Sequence, residues 1–335
     1  MAITLIGDAH LGVRFPFTTP ESHIRFRKLQ LDIANEALEL AKQKTGGSAV
    51  FLGDLFDKYS VSDVTLVDGF SLLNNAVAVI AGNHDIAKNE DKPSAIRLLA
   101  HNLHRTVILD GPSILHDTSV RPYAVVPHCT TQEGFERALE ASTRGNDRVD
   151  TLFLHCNFGE PKGVETENYL SSSKASDLLK RFKRIISGHE HDYSTPVPGV
   201  TMLGSILPMN FGEMTDKFIG VLYDDGELIL HKVWDAAKHF RQIPAGQVES
   251  FSPTEEHFLE VTGTVTVDEA ALINKRIKEW YKVGIIAVKN STQLLRTERE
   301  VEHKADATTW ESEVAAQLTD TQRDLFNEIL EQCHV

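Results

Sequence analysis

The chain opens with an apolar run, Ile3 to Ile6, that stops at Gly7-Asp8-Ala9-His10. The same design returns at Ala49 to Leu52 before Gly53-Asp54, and at Ala76 to Ile80 before Ala81-Gly82-Asn83-His84-Asp85. Short apolar runs closed by a glycine and a polar cluster read as buried strands whose C-terminal ends carry the polar residues. Between the first two runs, apolar positions Ile24, Leu29, Ile33, Ala37, Leu38 and Ala41 recur at helical spacing after Pro20-Glu21-Ser22 and stop at Gly46-Gly47, which predicts a crossover helix. A second helix is predicted over 64–73. Alternation of this kind favours a largely parallel sheet covered by helices, and such sheets bind ligands outside the carboxyl ends of their strands.

From Val107 the runs become shorter. A helix is predicted over 133–142, a strand ending at His155, a loop or flap over 162–173, a helix over 174–182, and a strand ending at Gly188-His189-Glu190-His191. Residues 197–207 and 218–234 read as successive antiparallel strands, the latter a hairpin turning at Asp224-Asp225-Gly226. The main domain is expected over 1–246. A small α/β unit over 247–296 follows, with a linker at 247–254, a strand at 258–267, an amphipathic helix at 268–281 and a strand at 285–288. The segment 297–335 is polar at first and then carries Val314, Leu318, Leu325, Ile329 and Leu330 at roughly helical spacing.

Charge complicates the choice of substrate. With 34 basic and 48 acidic side chains the formal charge is −14, which on its face disfavours a polyanion. The acid is unevenly spread, however: residues 246–335 hold 9 Lys/Arg against 17 Asp/Glu, and several carboxylates elsewhere are candidates to sit on divalent cations. Basic clusters at Arg25-Phe26-Arg27-Lys28 and Lys180-Arg181-Phe182-Lys183-Arg184 are candidate phosphate contacts, against their ordinary reading as solvated helix faces. Three widely spaced cysteines suit reduced thiols. No run approaches the roughly 20 apolar residues of a membrane span, and the N-terminus lacks the pattern of a signal peptide. A soluble cytoplasmic protein is therefore expected.

Five polar clusters at strand ends make a binuclear metal site the leading chemical hypothesis. Asp8 and His10 are separated by one residue, so on an extended segment both face one side and can share a cation. A glycine directly before Asp54 permits close backbone approach, and one carboxylate can bridge two ions about 3.5–4 Å apart. Asn83 offers a neutral oxygen. His84 points differently, with Asp85 beside it as an orienting carboxylate, and can serve as an imidazole facing a phosphate or a leaving oxygen. His155 and the His189/His191 pair complete the set, two imidazoles at i and i+2 being able to serve adjacent metals.

Asp8-x-His10, Gly53-Asp54-x-x-Asp57, Gly82-Asn83-His84-Asp85, His155 and Gly188-His189-x-His191 together resemble, in order and spacing, the signature of the calcineurin-like metallophosphoesterases. Within that superfamily the Gly-Asp-Ala-His-Leu-Gly, Gly-Asp-Leu-Phe-Asp and Gly-Asn-His-Asp runs look most like the nuclease subunit of SbcCD-type complexes and its bacteriophage counterparts, the short chain pointing to a phage version. The resemblance implies a sandwich of two mostly mixed β-sheets flanked by helices, with a small βαβ cap and a C-terminal helix. It also implies two divalent ions, most often manganese: one on Asp8, His10, Asp54 and His191, the other on Asp54, Asn83, His155 and His189. His84 would be the catalytic histidine. The implied activity is 3′ to 5′ exonuclease cleavage of duplex DNA ends and endonuclease cleavage of single strands, by a homodimer working with an ABC-type coiled-coil ATPase. Two departures stand out: Asp57 occupies a position where relatives outside bacteria and phages often carry histidine, and His155 follows Leu154 where a small residue is usual. A phosphodiesterase or phosphomonoesterase acting on a small substrate, and a non-catalytic scaffold on the same fold, are the alternatives.

Overall fold

The computed structural model describes residues 2–86, 94–116, 122–144, 149–159, 168–254 and 256–295. Two β-sheets lie face to face. The first, six-stranded, runs in the order β13 (Leu228–Trp234), β12 (Lys217–Tyr223), β1 (Ala2–Ile6), β2 (Ala49–Phe51), β3 (Ala78–Ile80) and β4 (Val107–Leu109). Its β1–β4 segment is parallel and its β12–β13 hairpin antiparallel. The second runs β11 (Val200–Met202), β10 (Arg184–Gly188), β7 (Thr151–His155), β6 (Tyr123–Val126) and β5 (Ser113–Leu115), parallel except for the β5–β6 pair. This is the mixed-sheet sandwich expected from the sequence.

Side-chain alternation along the strands builds the layers. Ile3 and Leu5 of β1, with Val50, Ala78 and Ile80, meet Val125, Phe153 and Ile186 of the second sheet in one apolar layer. The opposite faces, Ile6, Phe51 and Val79 on one sheet and Ala124, Val126, Leu152, Leu154 and Ile185 on the other, are covered by helices. Helices α1 (Pro20–Thr45), α2 (Asp63–Leu73) and α3 (Ala95–Ala100) belong to the first sheet, and α4 (Gln132–Thr143) and α5 (Ser172–Leu178) to the second. Thr19 caps α1 through the Ser22 amide and Gly46 ends it in the left-handed region. The buried face of α1 is Phe26, Gln30, Ile33, Ala34, Ala37, Leu38 and Ala41, whereas Ile24, assigned to the stripe from sequence, is 70% exposed.

Three other expectations are corrected. The predicted helix over 174–182 begins earlier, at Ser172, because Ser171 caps it by accepting from Lys174 N. Of the predicted flap, Tyr169–Leu170 forms β9 and pairs with β8 (Asn157–Phe158), while residues 160–167 lie outside the described part. The stretch 197–207 is strand only at β11, which pairs in parallel with β10 and not with the following hairpin. Gly204 then takes a positive φ of 88° and turns the chain back towards Gly7.

After the short helix α6 (Ala236–His239), a small parallel sheet forms in the order β14 (Phe240–Pro244), β15 (Phe258–Val265) and β16 (Ala287–Leu294), covered by α7 (Val267–Lys282). Its first strand, 240–244, precedes the 246/247 boundary expected from sequence. Phe258 also packs on Phe15, Phe26 and Trp234 of the main core, and Tyr281 Oη donates to the Phe17 carbonyl, so the unit sits directly on the sandwich. The C-terminal stripe from Val314 lies outside the described residues. No helix among the described residues is long and apolar enough to cross a membrane.

At this junction His257 Nδ1 lies 2.9 Å from His239 Nδ1, and both rings approach Trp234. Burial first, then His239 and Lys238, hold His257 down to about 4. The folded protein therefore refuses a proton that the unfolded chain accepts near 6.5, so stability falls as pH drops from about 6.5 towards 4. Thermal melts across this range should give a shallower acid slope for His257→Gln than for the wild type, the difference reaching a few degrees near pH 4.5.

Candidate metal centre

All the polar clusters lie at one end of the sandwich. Parallel pairing of β1, β2 and β3 delivers Asp8/His10, Asp54 and Asn83/His84 to one lip, and the Gly188–His155 register of β10 with β7 delivers His155 and His189 to the facing lip. The two lips touch because glycines stand between them. A Cβ on Gly53, which has φ +119°, would lie 2.0 Å from His155 Nδ1, and one on Gly82 would lie 2.1 Å from Asp54 Oδ1. The Gly-Asp and Gly-Asn-His-Asp patterns thus have a steric cause. Among the described non-glycine residues only four have positive φ, and three of them are His10, Asp54 and His189. Strain of this kind persists only where the surroundings overdetermine it.

Asp54 stands at the centre. Its Oδ2 is 3.3 Å from His155 Nε2 and 3.7 Å from His10 Nε2, while Oδ1 accepts from His84 N at 2.9 Å. On one side Asn83 Oδ1 lies 3.1 Å from His155 Nε2 and 3.0 Å from His189 Nδ1. On the other, His10 Nε2 is 3.1 Å from His191 Nε2, and Asp8 accepts the His189 amide at 3.0 Å. Three groups of potential ligands gather here, Asp8/His10/Asp54, Asp54/His155/His189 and His10/Asp57/His84. The seven residues nominated from sequence are thus brought together: Asp8 and His10 group with Asp54 on one side and His155 and His189 on the other, with His191 joined through His10 and Asn83 through His155 and His189.

The donor set fits divalent cations. Asp8 and Asp54 are fully buried, and burial works against the charge of each. At Asp54 the imidazoles of His155, His10 and His84 reverse that and hold the carboxyl far below the usual range, whereas at Asp8 burial prevails and raises it. Burial likewise opposes charge on His155, yet Asp54 and Asp8 draw it up to about 9. The field at this spot thus calls for positive charge, which bound cations would supply in place of protons. His10 Nδ1 is a buried nitrogen without a hydrogen-bond partner among the described residues.

The supporting contacts fix which ring nitrogens face inward. His155 Nδ1 donates to the Leu52 carbonyl at 2.9 Å, leaving Nε2 for the site. His191 Nδ1 is 3.0 Å from Glu213 Oε1, which turns Nε2 towards His10. Lys217, buried at the head of β12, donates to the His191 carbonyl at 2.9 Å and to Asp192 at 2.8 Å. Gln30, on the buried face of α1, donates to the carbonyls of Ala9 and His10 at 2.6 and 2.9 Å. The sequence reading missed all three residues. Gln30 and Lys217 could have been noticed as single polar residues in otherwise apolar positions; Glu213 leaves no such mark.

One expectation is corrected. Asp85 does not orient His84. Its carboxylate accepts the backbone amides of Gly82, Leu55 and Phe56 at 3.0, 3.3 and 3.1 Å, and burial, then the nearby Asp54, pushes it up to about 7. It ties the Asn83 turn to the Asp54 loop. His84 is instead oriented by the Asp57 carbonyl, 2.5 Å from its Nδ1. A carbonyl only accepts, so Nδ1 carries the proton and Nε2 is left for the cleft. That cleft, of about 510 Å³, is lined by Asp54, Asn83, His84, His189 and His191, with Glu190, Asp192 and Glu213 on its wall.

The chain belongs to the calcineurin-like phosphoesterases: the family's model matches residues 1–193, which carry every nominated site residue. It is accordingly a metal-dependent phosphoester hydrolase by family and fold. Among solved structures, an archaeal phosphodiesterase matches with 16% identity and a TM-score of 0.35, over 69% of this chain and 99% of its own. The protein TT1561 of Thermus thermophilus matches with 12% identity and a TM-score of 0.40, over 70% of this chain and 99% of its own. No curated protein matches.

Glu213 gives a direct test of the site's supporting contacts. Glu213→Gln should weaken manganese binding about 10- to 100-fold while the far-ultraviolet circular dichroism stays unchanged. Titration calorimetry reads the former, and unaltered affinity would remove Glu213 from the site.

Proposed function

We propose that this chain is the DNA nuclease subunit of an ATPase-linked end-processing or recombination complex, cutting duplex ends 3′ to 5′ and single strands internally. The observation that carries the reading is the ordered set of motifs, Gly-Asp-Ala-His, Gly-Asp-Leu-Phe-Asp and Gly-Asn-His-Asp, gathered on Asp54 with His84 beside it. Two cations in this site, manganese by the resemblance, would be held by Asp8, His10, Asp54 and His191 and by Asp54, Asn83, His155 and His189. When bound they polarise phosphoryl oxygens and bring the pKa of water towards neutrality. The chain's own part is positional: the strained turns at His10, Asp54 and His189 fix the ligands, and the cleft admits the diester. His84, its Nδ1–H tied to the Asp57 carbonyl, turns Nε2 to the phosphate; in the imidazolium form the Nε2–H stabilises charge there or passes to the departing oxygen.

A homodimer is supported by apolar side chains left exposed on neighbouring helices, Val64 and Val67 of α2 and Leu98 of α3. The ATPase would engage the C-terminal stripe from Val314 in a helix-in-groove manner and add basic surface for DNA to a chain of charge −14. A chain ending near Glu298 should then keep manganese-dependent cleavage of a small phosphodiester and lose ATPase co-purification; retained co-purification would rule the docking out. Hydrolysis of a small phosphodiester is the second reading, favoured by the acidic wall of Glu190, Asp192 and Glu213. End-labelled duplex, circular single strands and a chromogenic diester, assayed with manganese and with or without the ATPase, separate the two. Turnover of the diester alone supports the second.

A further inference from the structure

A second cavity, of about 300 Å³, adjoins the metal centre through Asp57. It lies between the loop after β1, the first turns of α1 and the start of α2, and His23, Arg27, Asp57, Lys58 and Ser62 line it. Its volume is at the low end for ligand cavities. The separating wall is Asp57 itself, whose carbonyl orients His84 and whose carboxylate lies 3.7 Å from His10 Nδ1. The two cavities differ in charge: three carboxylates line the metal cleft wall, whereas cationic side chains converge on its neighbour.

Lys58 in the cavity and Arg14 on the loop beside it are exposed and make no ion pair among the described residues. Arg27 belongs to the basic cluster singled out from sequence. It is anchored through Nε to Asp68 Oδ2 at 2.9 Å, which fixes the guanidinium against the cavity. His23 Nδ1 is a buried atom with no hydrogen-bond partner among the described residues. Burial, then the fields of Arg14 and Arg27, hold His23 below its ordinary value, as positive potential does. Two carboxylates, Asp57 and Asp68, stand against three permanent cations. Asp57 faces His10, its carboxylate 3.7 Å from that ring's Nδ1.

We propose that this cavity is a backbone-phosphate subsite, in which Lys58, Arg27 and His23, with Arg14 at the rim, hold the phosphate of a nucleotide next to the one being cleaved. The inference rests on the nuclease reading above and deepens it. A substrate with a second phosphate gains the subsite, and a lone diester does not. Directional contacts of this kind position a strand without reading its sequence.

The test uses the full chain with manganese. Wild type, Lys58→Gln, His23→Gln and the Arg14→Gln/Lys58→Gln double variant are compared on a single-stranded oligonucleotide and on bis(p-nitrophenyl) phosphate, and oligonucleotide binding is measured against salt. The double variant should raise KM on the oligonucleotide about tenfold and reduce the slope of log K against log salt by about 0.7 per cation lost. kcat/KM on the chromogenic diester should stay within about twofold. Unchanged KM and salt slope, with the wild type still cutting the oligonucleotide, would overturn the subsite and leave the nuclease reading standing. Equal losses on both substrates would also overturn it, by placing these residues in the chemistry or the fold. A wild type that turns over the chromogenic diester and no nucleic acid would overturn reading and subsite together.

Discussion

Asp54→Asn is expected to cost about a thousandfold or more in kcat/KM on any phosphodiester and to lower the manganese stoichiometry of both halves of the site. The substitution is chosen because it isolates charge. Asp54 sits at φ 45°, a left-handed conformation that asparagine tolerates well, so the turn and the Oδ1 acceptor for His84 N survive. What goes is the negative charge at Oδ2, the atom nearest both His155 and His10. Charge stabilisation by metals at a transferring phosphoryl group is worth several kcal/mol, each 1.4 kcal/mol being tenfold in rate. Titration calorimetry beside single-turnover rates checks it. Wild-type stoichiometry in the variant would refute the shared-ligand role of Asp54. Asp8→Asn and His191→Gln should instead deplete one half preferentially, since each belongs to one subset.

His84→Ala should behave differently: manganese content unchanged, turnover down roughly 100- to 10,000-fold. Asp57 O holds its Nδ1–H and His10 packs edge-on against its ring at 4.8 Å, so Nε2 is aimed with little freedom to wander. A role in proton delivery makes the loss depend on the leaving group. A diester with a good leaving group such as p-nitrophenolate should suffer less than DNA, whose departing alkoxide needs the proton. A purely electrostatic role predicts equal losses on both. Loss of manganese on this substitution would move His84 among the ligands, a role the His10/Asp57/His84 grouping permits.

Strand ends were legible because each couples an apolar run to a glycine and a polar residue. The reason for the glycines was not: only the facing sheets reveal that His155 and Asp54 occupy the space a Cβ would take. Sequence also could not say which partner orients His84, because Asp57 acts through its carbonyl, a group every residue has. Adjacency suggested Asp85, whose carboxylate instead collects three backbone amides. The parallel entry of β11 was hidden because Val197 to Leu207 reads as one apolar stretch, while the turn at Gly204 divides it. Gln30 was passed over because a polar residue within a helical stripe is usually set at its edge, and here it reaches down to the loop carrying His10.

The central claim, that two cations share Asp54, is tested most directly by crystals grown with manganese and measured at the manganese absorption edge. Two anomalous peaks per chain are predicted, about 3.5–4 Å apart, with Asp54 between them, one beside Asp8, His10 and His191 and the other beside Asn83, His155 and His189. A single peak, or one seated on His10, Asp57 and His84 with Asp54 unligated, would contradict the account.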